Sequence, residues 1–315
     1  MPLYIREKDV DSLLTMEEAI EQVRRGFEIQ AEDGVISLPR SRLKSGKGTL
    51  NIMPAAIDGV GLSGLKVYYG NRNGASFVVV LFSVEDTRPV CIVEAGRLGQ
   101  LRTGAASGIM TDMMARKDAA VLACVGTGYQ AETQVEAISL VRDIDTVLVS
   151  GTSAAKAADF ARRLSEKHGV NAEPADSSAA MGRFDILVTA TDSRTPVIQD
   201  GSIPEDCHIN AIGSNHVESA ELETSTFCSA KNIVVDSREQ ALMESGDVVK
   251  AVRSGGIRED YLNEAWQLFA GNASPNPDAT TDRTIFKSLG IGMEDLVTAR
   301  YVYEKAVKSG LGQQL

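Results

Sequence analysis

Two glycines, Gly126 and Gly128, stand at the spacing that a dinucleotide-binding turn requires. They begin a G-x-G-x-x-A motif that ends at Ala131, and an apolar run over residues 119–125 leads directly into it. In such a turn the first glycine permits the tight bend, the second lets backbone N–H groups approach a pyrophosphate, and the third small residue keeps the next helix close. The dipole of that helix favours an anion at its N-terminus. The motif with its strand and helix predicts a nucleotide site, and a bare strand-to-helix turn is the alternative.

The residues after the second strand of such a fold select the cofactor. An acidic side chain there binds the 2′-hydroxyl of the NAD ribose and repels the 2′-phosphate of NADP. This chain has Gly151, Thr152 and Ser153 in that position, followed by Lys156. These residues favour NADP over NAD, although a small loop is also compatible with either cofactor.

Lys66 and Arg102 are the cations whose surroundings suggest chemistry. Lys66 lies in an apolar and aromatic strand-like run, where an ammonium group is costly unless a carboxylate or a substrate pairs with it. It is a candidate acid, base or carboxylate anchor, and a solvent-facing lysine is the alternative. Arg102 stands at the predicted start of a helix rich in small residues, where a guanidinium can bind a carboxylate or a phosphate bidentately. An interdomain ion pair would explain Arg102 equally well.

Three further charged residues are candidates for the same ligand site as Lys66 and Arg102. Arg40 and Arg42 alternate along a short segment, so one or both can project from a strand toward a ligand, although most such pairs are solvated. Asp295 begins the last predicted helix, where a carboxylate also interacts favourably with the helix dipole without any catalytic role.

Composition restricts the class of protein. The chain has 315 residues, 43% hydrophobic and 24% charged, which is typical of a globular protein with room for two domains. Its net charge of −11, without a clustered basic stripe, argues against a nucleic-acid partner.

Metal and membrane partners are not expected either. The three histidines lack H-x-x-x-H spacing and the four cysteines lack C-x-x-C spacing, so no metal site is predicted. No apolar run approaches the length of about 18 residues that a membrane helix needs. The first residues lack the apolar core of a signal peptide, and a cytoplasmic protein is therefore expected.

Strands and helices alternate from Val121 onward. Strands are predicted over residues 121–125, 146–150, 185–191, 208–213 and 232–236, and helices over 132–141, 154–168 and 239–245. This alternation is typical of a doubly wound parallel sheet, whose ligands lie at the carboxyl ends of the strands. Thr191 and Gly213 end two of these strands and are therefore candidate cofactor contacts.

The first 118 residues have a different pattern. A helix over residues 16–33, strand-like runs near 50–54, 64–69 and 77–84, and a small-residue segment over 104–115 indicate an α+β unit. A helix over residues 293–308 can return to it. The fold class is thus α/β, with a Rossmann doubly wound parallel sheet over 119–289 inserted in a discontinuous α+β substrate and dimerisation domain over 1–118 and 290–315.

Together the motifs resemble the ornithine cyclodeaminase/mu-crystallin family, which also includes archaeal-type alanine dehydrogenases and ketimine or pyrroline-carboxylate reductases. The matching segments span nearly the whole chain in family order: Ile52-Met-Pro-Ala55, Gly64-Leu-Lys66, Leu101-Arg-Thr-Gly-Ala-Ala-Ser107, Val125-Gly-Thr-Gly-Tyr-Gln130, His208-Ile-Asn-Ala-Ile-Gly213 and Thr284-Ile-Phe-Lys-Ser-Leu-Gly290.

The resemblance implies roles for individual residues. Lys66 matches the catalytic-site lysine and Arg102 the arginine that holds the substrate carboxylate, with Arg40 or Arg42 as a further anchor and Leu289 beside the substrate. The implied cofactor contacts are Thr103, Gly126, Thr127, Gly128, Tyr129, Gln130, Thr191 and Ser288, and Gly151, Thr152 and Ser153 fall where family members distinguish NAD from NADP. The resemblance also implies a homodimer.

One departure from the family pattern bears on the reaction. Cyclodeaminases carry an aspartate at the catalytic position that Asn215 occupies here, and an amide cannot exchange a proton as a carboxylate does. The favoured function is therefore NAD(P)H-dependent reduction of an imine or ketimine carboxylate to an amino acid, or the reverse dehydrogenation. Ornithine or lysine cyclodeamination and a non-catalytic crystallin-like nucleotide-binding role are the alternatives.

Overall fold

The computed structural model of the chain describes residues 1–85, 87–274 and 282–315. In those ranges the helices are α1 Glu7–Leu13, α2 Met16–Ala31, α3 Gly96–Met114, α4 Tyr129–Val141, α5 Ala154–His168, α6 Thr224–Ser229, α7 Arg238–Glu244, α8 Gly246–Arg253, α9 Ala265–Phe269 and α10 Gly292–Ser309. The strands are β1 Leu3–Ile5, β2 Val35–Ser37, β3 Ser41–Ser45, β4 Gly48–Ile57, β5 Leu62–Asn71, β6 Gly74–Ser83, β7 Pro89–Glu94, β8 Val121–Val125, β9 Thr146–Ser150, β10 Ala172–Pro174, β11 Ile186–Thr189, β12 His208–Ala211, β13 Asn232–Val235, β14 Leu262–Glu264, β15 Thr284–Lys287 and β16 Gln313–Gln314.

The chain divides into two compact units. The first comprises Met1–Arg102 together with Gly290–Leu315, and the second comprises Thr103–Leu289. The second unit is thus continuous in sequence and lies between the two segments of the first. Residues 103–118 group with the second unit, because the first segment of the first unit ends at Arg102, inside α3.

The first unit is built on a sheet with the strand order β16-β1-β7-β6-β5-β4-β2, and β3 also pairs with β4. The long strands β4, β5 and β6 are antiparallel neighbours. Alternate residues of β4, including Met53 and Ile57, are buried on the face against which α10 packs. Helix α2 packs against α10 in turn, and its start is fixed by Thr15, whose hydroxyl accepts a hydrogen bond from the Glu18 backbone.

The second unit contains an entirely parallel sheet with the strand order β10-β9-β8-β11-β12-β15-β13-β14. Its order reverses direction at β8, as in a doubly wound sheet with two mononucleotide-binding halves. Neighbouring residues of β8 contribute to opposite faces: Cys124 packs in a core with Val135 and Phe160, and Ala123 packs in a second core with Phe227. Helices therefore cover both faces, and the predicted α/β class is confirmed.

Among the described residues, no helix has both the length and the apolar character required to cross a membrane.

Candidate active site

Lys66 lies in the centre of β5 on the buried face of the first unit's sheet. The sheet register places it between Met53 of β4 and Val79 of β6, both of which are buried. Only 3% of Lys66 is exposed. An ammonium at such a position must be compensated, because an isolated buried charge costs several kcal/mol.

Asp295 provides the compensation from the first turn of α10. The Lys66 Nζ donates to Asp295 Oδ1 at 2.9 Å and lies 2.8 Å from Oδ2. Burial lowers the pKa of Lys66 to about 8, and the positive charge of Arg102 adds to the decrease, whereas the Asp295 carboxylate opposes it. Lys66 can therefore exchange a proton close to neutral pH, as a general acid or base must.

Arg102 shares the same carboxylate. Its Nε donates to Asp295 Oδ1 at 3.0 Å, and its Nη1 donates to Glu294 Oε2 at 2.7 Å. The sequence-based placement of Arg102 at a helix start was wrong, because α3 already begins at Gly96. The guanidinium passes so close to Gly290 that a Cβ there would overlap it.

Arg40 and Arg42 occupy different positions. Arg40 precedes β3, is 6% exposed, and donates from Nη2 to the Gly290 carbonyl at 3.4 Å. Its charge also contributes to the lowered pKa of Lys66. Arg42 lies within β3 opposite Asn51 and is partly exposed. Arg40 is thus the one of the two that the structure places beside the other cations.

We call Arg40, Lys66, Arg102, Glu294 and Asp295 the ionic cluster. All five residues are buried and belong to the first unit. The cluster combines three cations with two carboxylates. Guanidinium groups bind carboxylates, and Lys66 can exchange a proton, so the cluster has the groups needed to bind a carboxylate anion and to move a proton next to it. Sequence reasoning missed Glu294. The only sequence signal for it was its position next to Asp295 in an amphipathic helix.

The turn after β8 in the second unit has the geometry that the glycine motif predicts. Gly126 has a φ of +124°, its N–H donates to the Ser150 carbonyl at 2.9 Å, and a Cβ there would overlap the Ala190 carbonyl. Gly128 caps the N-terminus of α4, and no atom lies within 4 Å of the position where its Cβ would be. This open approach to the start of a helix fits a pyrophosphate.

Two of the predicted cofactor contacts, Tyr129 and Gln130, lie beside this turn at the start of α4. Tyr129 is 59% exposed at the first position of α4. The Oε1 atom of Gln130 is buried, and the described residues provide it with no hydrogen-bond partner.

The loop after β9 is small and contains no acidic side chain. Ser153 caps α5 by accepting a hydrogen bond from the Lys156 backbone N–H at 3.3 Å. The exposed Lys156 lies beside the loop, and its Nζ donates to Thr152 Oγ1 at 3.4 Å. A Cβ added to Gly151 would lie 2.9 Å from Thr127 Cγ2, which leaves little room for a larger residue.

Two buried carboxylates that sequence reasoning missed organise the remaining candidate cofactor contacts. Glu221 accepts hydrogen bonds from Thr191 and from the Gly213 backbone, which follow β11 and β12. Asp236 accepts from the Leu289 backbone at 2.6 Å and from the Ser288 hydroxyl at 3.4 Å. Neither carboxylate stands in a motif, so the sequence offered no local signal for them.

Three other predicted site residues of the second unit differ in position and burial. Thr103 is buried within α3, Leu289 is 6% exposed after β15, and Asn215 is partly exposed in the loop after β12. Within the described part of the chain, no group of three or more His, Cys, Asp or Glu residues is arranged to hold a metal ion.

Comparison with known proteins identifies the family of this chain. A sequence model of the ornithine cyclodeaminase/mu-crystallin family matches residues 3–310. Among curated proteins, a Δ1-pyrroline-2-carboxylate reductase of Bacillus cereus is 32% identical over an alignment of 324 positions, which covers 99% of each chain.

Solved structures agree with that match. A Thermococcus litoralis Δ1-pyrroline-2-carboxylate reductase in complex with NADH and L-proline has a TM-score of 0.95 and 31% identity, covering 99% of this chain and 100% of the other. An archaeal alanine dehydrogenase dimer with bound NAD has a TM-score of 0.93 and 31% identity, covering 100% of this chain and 98% of the other.

Proposed function

We propose that this chain, which belongs to the ornithine cyclodeaminase/mu-crystallin family, uses NAD(P)H to reduce a carboxylate-bearing imine to an amino acid. The observation that carries the proposal is the buried Lys66, paired with Asp295 beside Arg102. A relative that is 32% identical over the whole chain is a Δ1-pyrroline-2-carboxylate reductase, so a cyclic imine with one carboxylate is the first substrate to test.

In this proposal the ionic cluster binds and protonates the substrate. Arg102, with Arg40, binds the substrate carboxylate through guanidinium N–H donors. Lys66 donates a proton to the imine nitrogen, which makes the adjacent carbon electrophilic. A bound reduced nicotinamide would supply the hydride that this carbon receives. The nitrogen gains the proton, the carbon gains the hydride, and the product is the amine. Lys66 is left neutral until it takes up a proton.

A substrate panel tests the reaction. We expect purified protein to oxidise NADPH or NADH when it is offered Δ1-pyrroline-2-carboxylate, or pyruvate with ammonia or methylamine, followed at the nicotinamide absorbance. Release of ammonia from ornithine or lysine with NAD⁺ and no net cofactor change would instead identify a cyclodeaminase. Nucleotide binding without turnover of any substrate would support the non-catalytic, crystallin-like role instead.

Replacing Lys66 tests its assignment. Lys66→Met keeps much of the side-chain volume but removes the proton donor, and we expect kcat for imine reduction to fall about 10²- to 10⁴-fold. Cofactor affinity, measured by nicotinamide fluorescence, should be retained. Lys44→Met is the matched control, since Lys44 is an exposed lysine on β3. Wild-type turnover in Lys66→Met would refute the proton-donor role.

The lowered pKa of Lys66 predicts opposite pH profiles for the two directions. Below its pKa of about 8 Lys66 is protonated and can donate, so kcat/KM for imine reduction should be constant there and fall above it. Amino-acid oxidation requires the neutral amine and should rise through the same pH.

Asp295→Asn provides the control for that assignment. Loss of the carboxylate removes the attraction that raises the lysine pKa, so both transitions should move to lower pH. Because both proteins are assayed with the same substrate, a difference in the pH of the transition must come from a titrating group of the enzyme. A transition at the same pH in both proteins would mean that another group titrates.

We further propose that NADP is the preferred cofactor. The support is the loop after β9, where the described residues offer a serine cap and Lys156 rather than a carboxylate. A lysine is a suitable point charge for a 2′-phosphate.

Gly151→Asp should reverse this preference. A carboxylate there would repel the 2′-phosphate, so we expect kcat/KM with NADPH to fall at least about tenfold relative to NADH. Because the new Cβ would press on Thr127, adding Thr127→Ser should improve the use of NADH. Lys156→Met should weaken the binding of NADPH but not that of NADH. An unchanged cofactor ratio in all variants would place the 2′-phosphate elsewhere.

We also propose a homodimer formed through the outer face of the first unit's sheet. On the face opposite Lys66, neighbouring strands present Ile52, Val67 and Val78 side by side, and all three are only partly buried. Leu43 is 57% exposed and Tyr69 41% exposed on the same face. An apolar face of this kind is typical of a protein interface, and a related alanine dehydrogenase is described as a dimer.

Light scattering after gel filtration tests the dimer. Wild-type protein should have twice the 33.7 kDa mass of the chain. Val67→Lys should dissociate it, because a two-fold interface places the new charge on both partners. Val307→Lys alters a valine on α10 that is 58% exposed, and it should leave the mass unchanged. A monomeric wild type, or a dimeric Val67→Lys, would contradict the proposal.

A further inference from the structure

The carboxylate of Glu221 joins the ends of two neighbouring parallel strands in the second unit. Glu221 is fully buried. Its Oε1 accepts from the N–H and the hydroxyl of Thr191, both at 2.7 Å, directly beyond β11. Its Oε2 accepts from the Gly213 N–H at 2.7 Å, beyond β12, and from the Thr189 hydroxyl at 3.1 Å. Four donors thus surround one carboxylate.

A second buried layer holds Glu221 itself. Asp247 Oδ1 accepts from the backbone N–H groups of Glu221 and Leu222 at 2.8 and 3.0 Å. Its Oδ2 lies 3.4 Å from the Nζ of Lys287, the last residue of β15. Burial raises the pKa of Glu221, and the charge of Lys287 and the Thr191 donors oppose that rise. The network therefore connects the carboxyl ends of β11, β12 and β15.

Stability alone does not account for such a network. Buried ionic groups can often be replaced by apolar side chains of similar volume without loss of stability, because of their desolvation cost. What the carboxylate provides is geometry: the Thr191 and Gly213 turns approach so closely that a Cβ at Gly213 would overlap the Thr191 backbone. Glu221 fixes that approach through both of its oxygens.

The topology identifies which half of a dinucleotide these turns face. In the order β10-β9-β8-β11-β12-β15, the strands up to β8 form one mononucleotide-binding half, and its β9 end takes the adenosine ribose. Strands β11, β12 and β15 form the other half, which receives the nicotinamide nucleotide. Thr191, Gly213 and Ser288 lie at its carboxyl edge.

We infer that Glu221 is a positioning residue for the nicotinamide half of the cofactor, acting through the Thr191 and Gly213 turns. The inference rests on the proposed use of NAD(P)H. It predicts that a substitution of Glu221 lowers the affinity for the whole cofactor. The affinity for a ligand that lacks the nicotinamide nucleoside should not change.

Glu221→Gln tests this directly. The substituted amide must direct an N–H toward a donor of one of the two turns, and we expect the Kd for NADPH or NADH to rise about tenfold. The Kd for ADP-ribose or its 2′-phosphate derivative, measured by calorimetry, should stay within about twofold. The fluorescence of bound reduced nicotinamide should also change, since it reports the surroundings of the ring.

Asp185→Asn is the matched control. Asp185 is another buried carboxylate of the second unit, and it accepts from the Ala120 and Val121 N–H groups at 2.8 and 2.9 Å, at the amino ends of the strands. Its loss should lower the melting temperature without distinguishing the two ligands. If Glu221→Gln fails to fold, Thr189→Val removes one donor with little change in volume, and a smaller but equally selective loss is expected.

Equal weakening of both ligands by the Glu221 or Thr189 variants would show that the network supports the whole unit and would overturn the inference. Unchanged affinity for both ligands would overturn it as well. A wild-type protein that bound ADP-ribose but neither NADPH nor NADH would instead refute the proposed function, and the inference with it.

Discussion

The shared carboxylate of Asp295 is the interaction on which the candidate substrate site depends. It accepts hydrogen bonds from both Lys66 and Arg102, and all three side chains are almost completely buried. Since burying an isolated ion costs several kcal/mol, the two cations and the carboxylate must come together as the first unit folds. Lys66 lies on β5, Arg102 on α3 and Asp295 on α10. Charge compensation therefore couples the C-terminal helix to a sheet formed more than 200 residues earlier in the chain.

The ionic cluster and the Glu221 network differ in composition, and we assign them different roles. The ionic cluster has three cations and two carboxylates, and its guanidinium groups are the donors that we propose for the substrate carboxylate. The Glu221 network has two carboxylates, Glu221 and Asp247, and one lysine, Lys287, and backbone and hydroxyl donors surround Glu221 on both oxygens. A carboxylate already saturated by the protein has little capacity for a ligand. The role that we infer for Glu221 is therefore to hold the turns that donate to it.

Sequence reasoning predicted those features that depend on local patterns. The glycine turn, the strand over residues 146–150 and the helix over 154–168 have strong periodicity or a motif, and the structure has both elements at those bounds. Arg102 was misplaced at a helix start because the glycines at 96 and 99 weaken the helical pattern before it. Glu221, Asp236 and Glu294 were missed for a different reason. Their roles depend on strands and helices distant in sequence, and an acidic residue in an ordinary segment gives no sign of burial.

The cost of burying Lys66 and its chemical usefulness have one physical origin. Removal from water lowers the lysine pKa, and the neighbouring guanidinium groups lower it further, which alone would leave a neutral amine that cannot donate a proton. The Asp295 carboxylate alone would keep the lysine charged throughout the physiological range. Both act together and place the pKa at about 8. A lysine with a pKa in that range suits the proton transfer that we propose for Lys66, and the ion pair that permits its burial also helps to set that pKa.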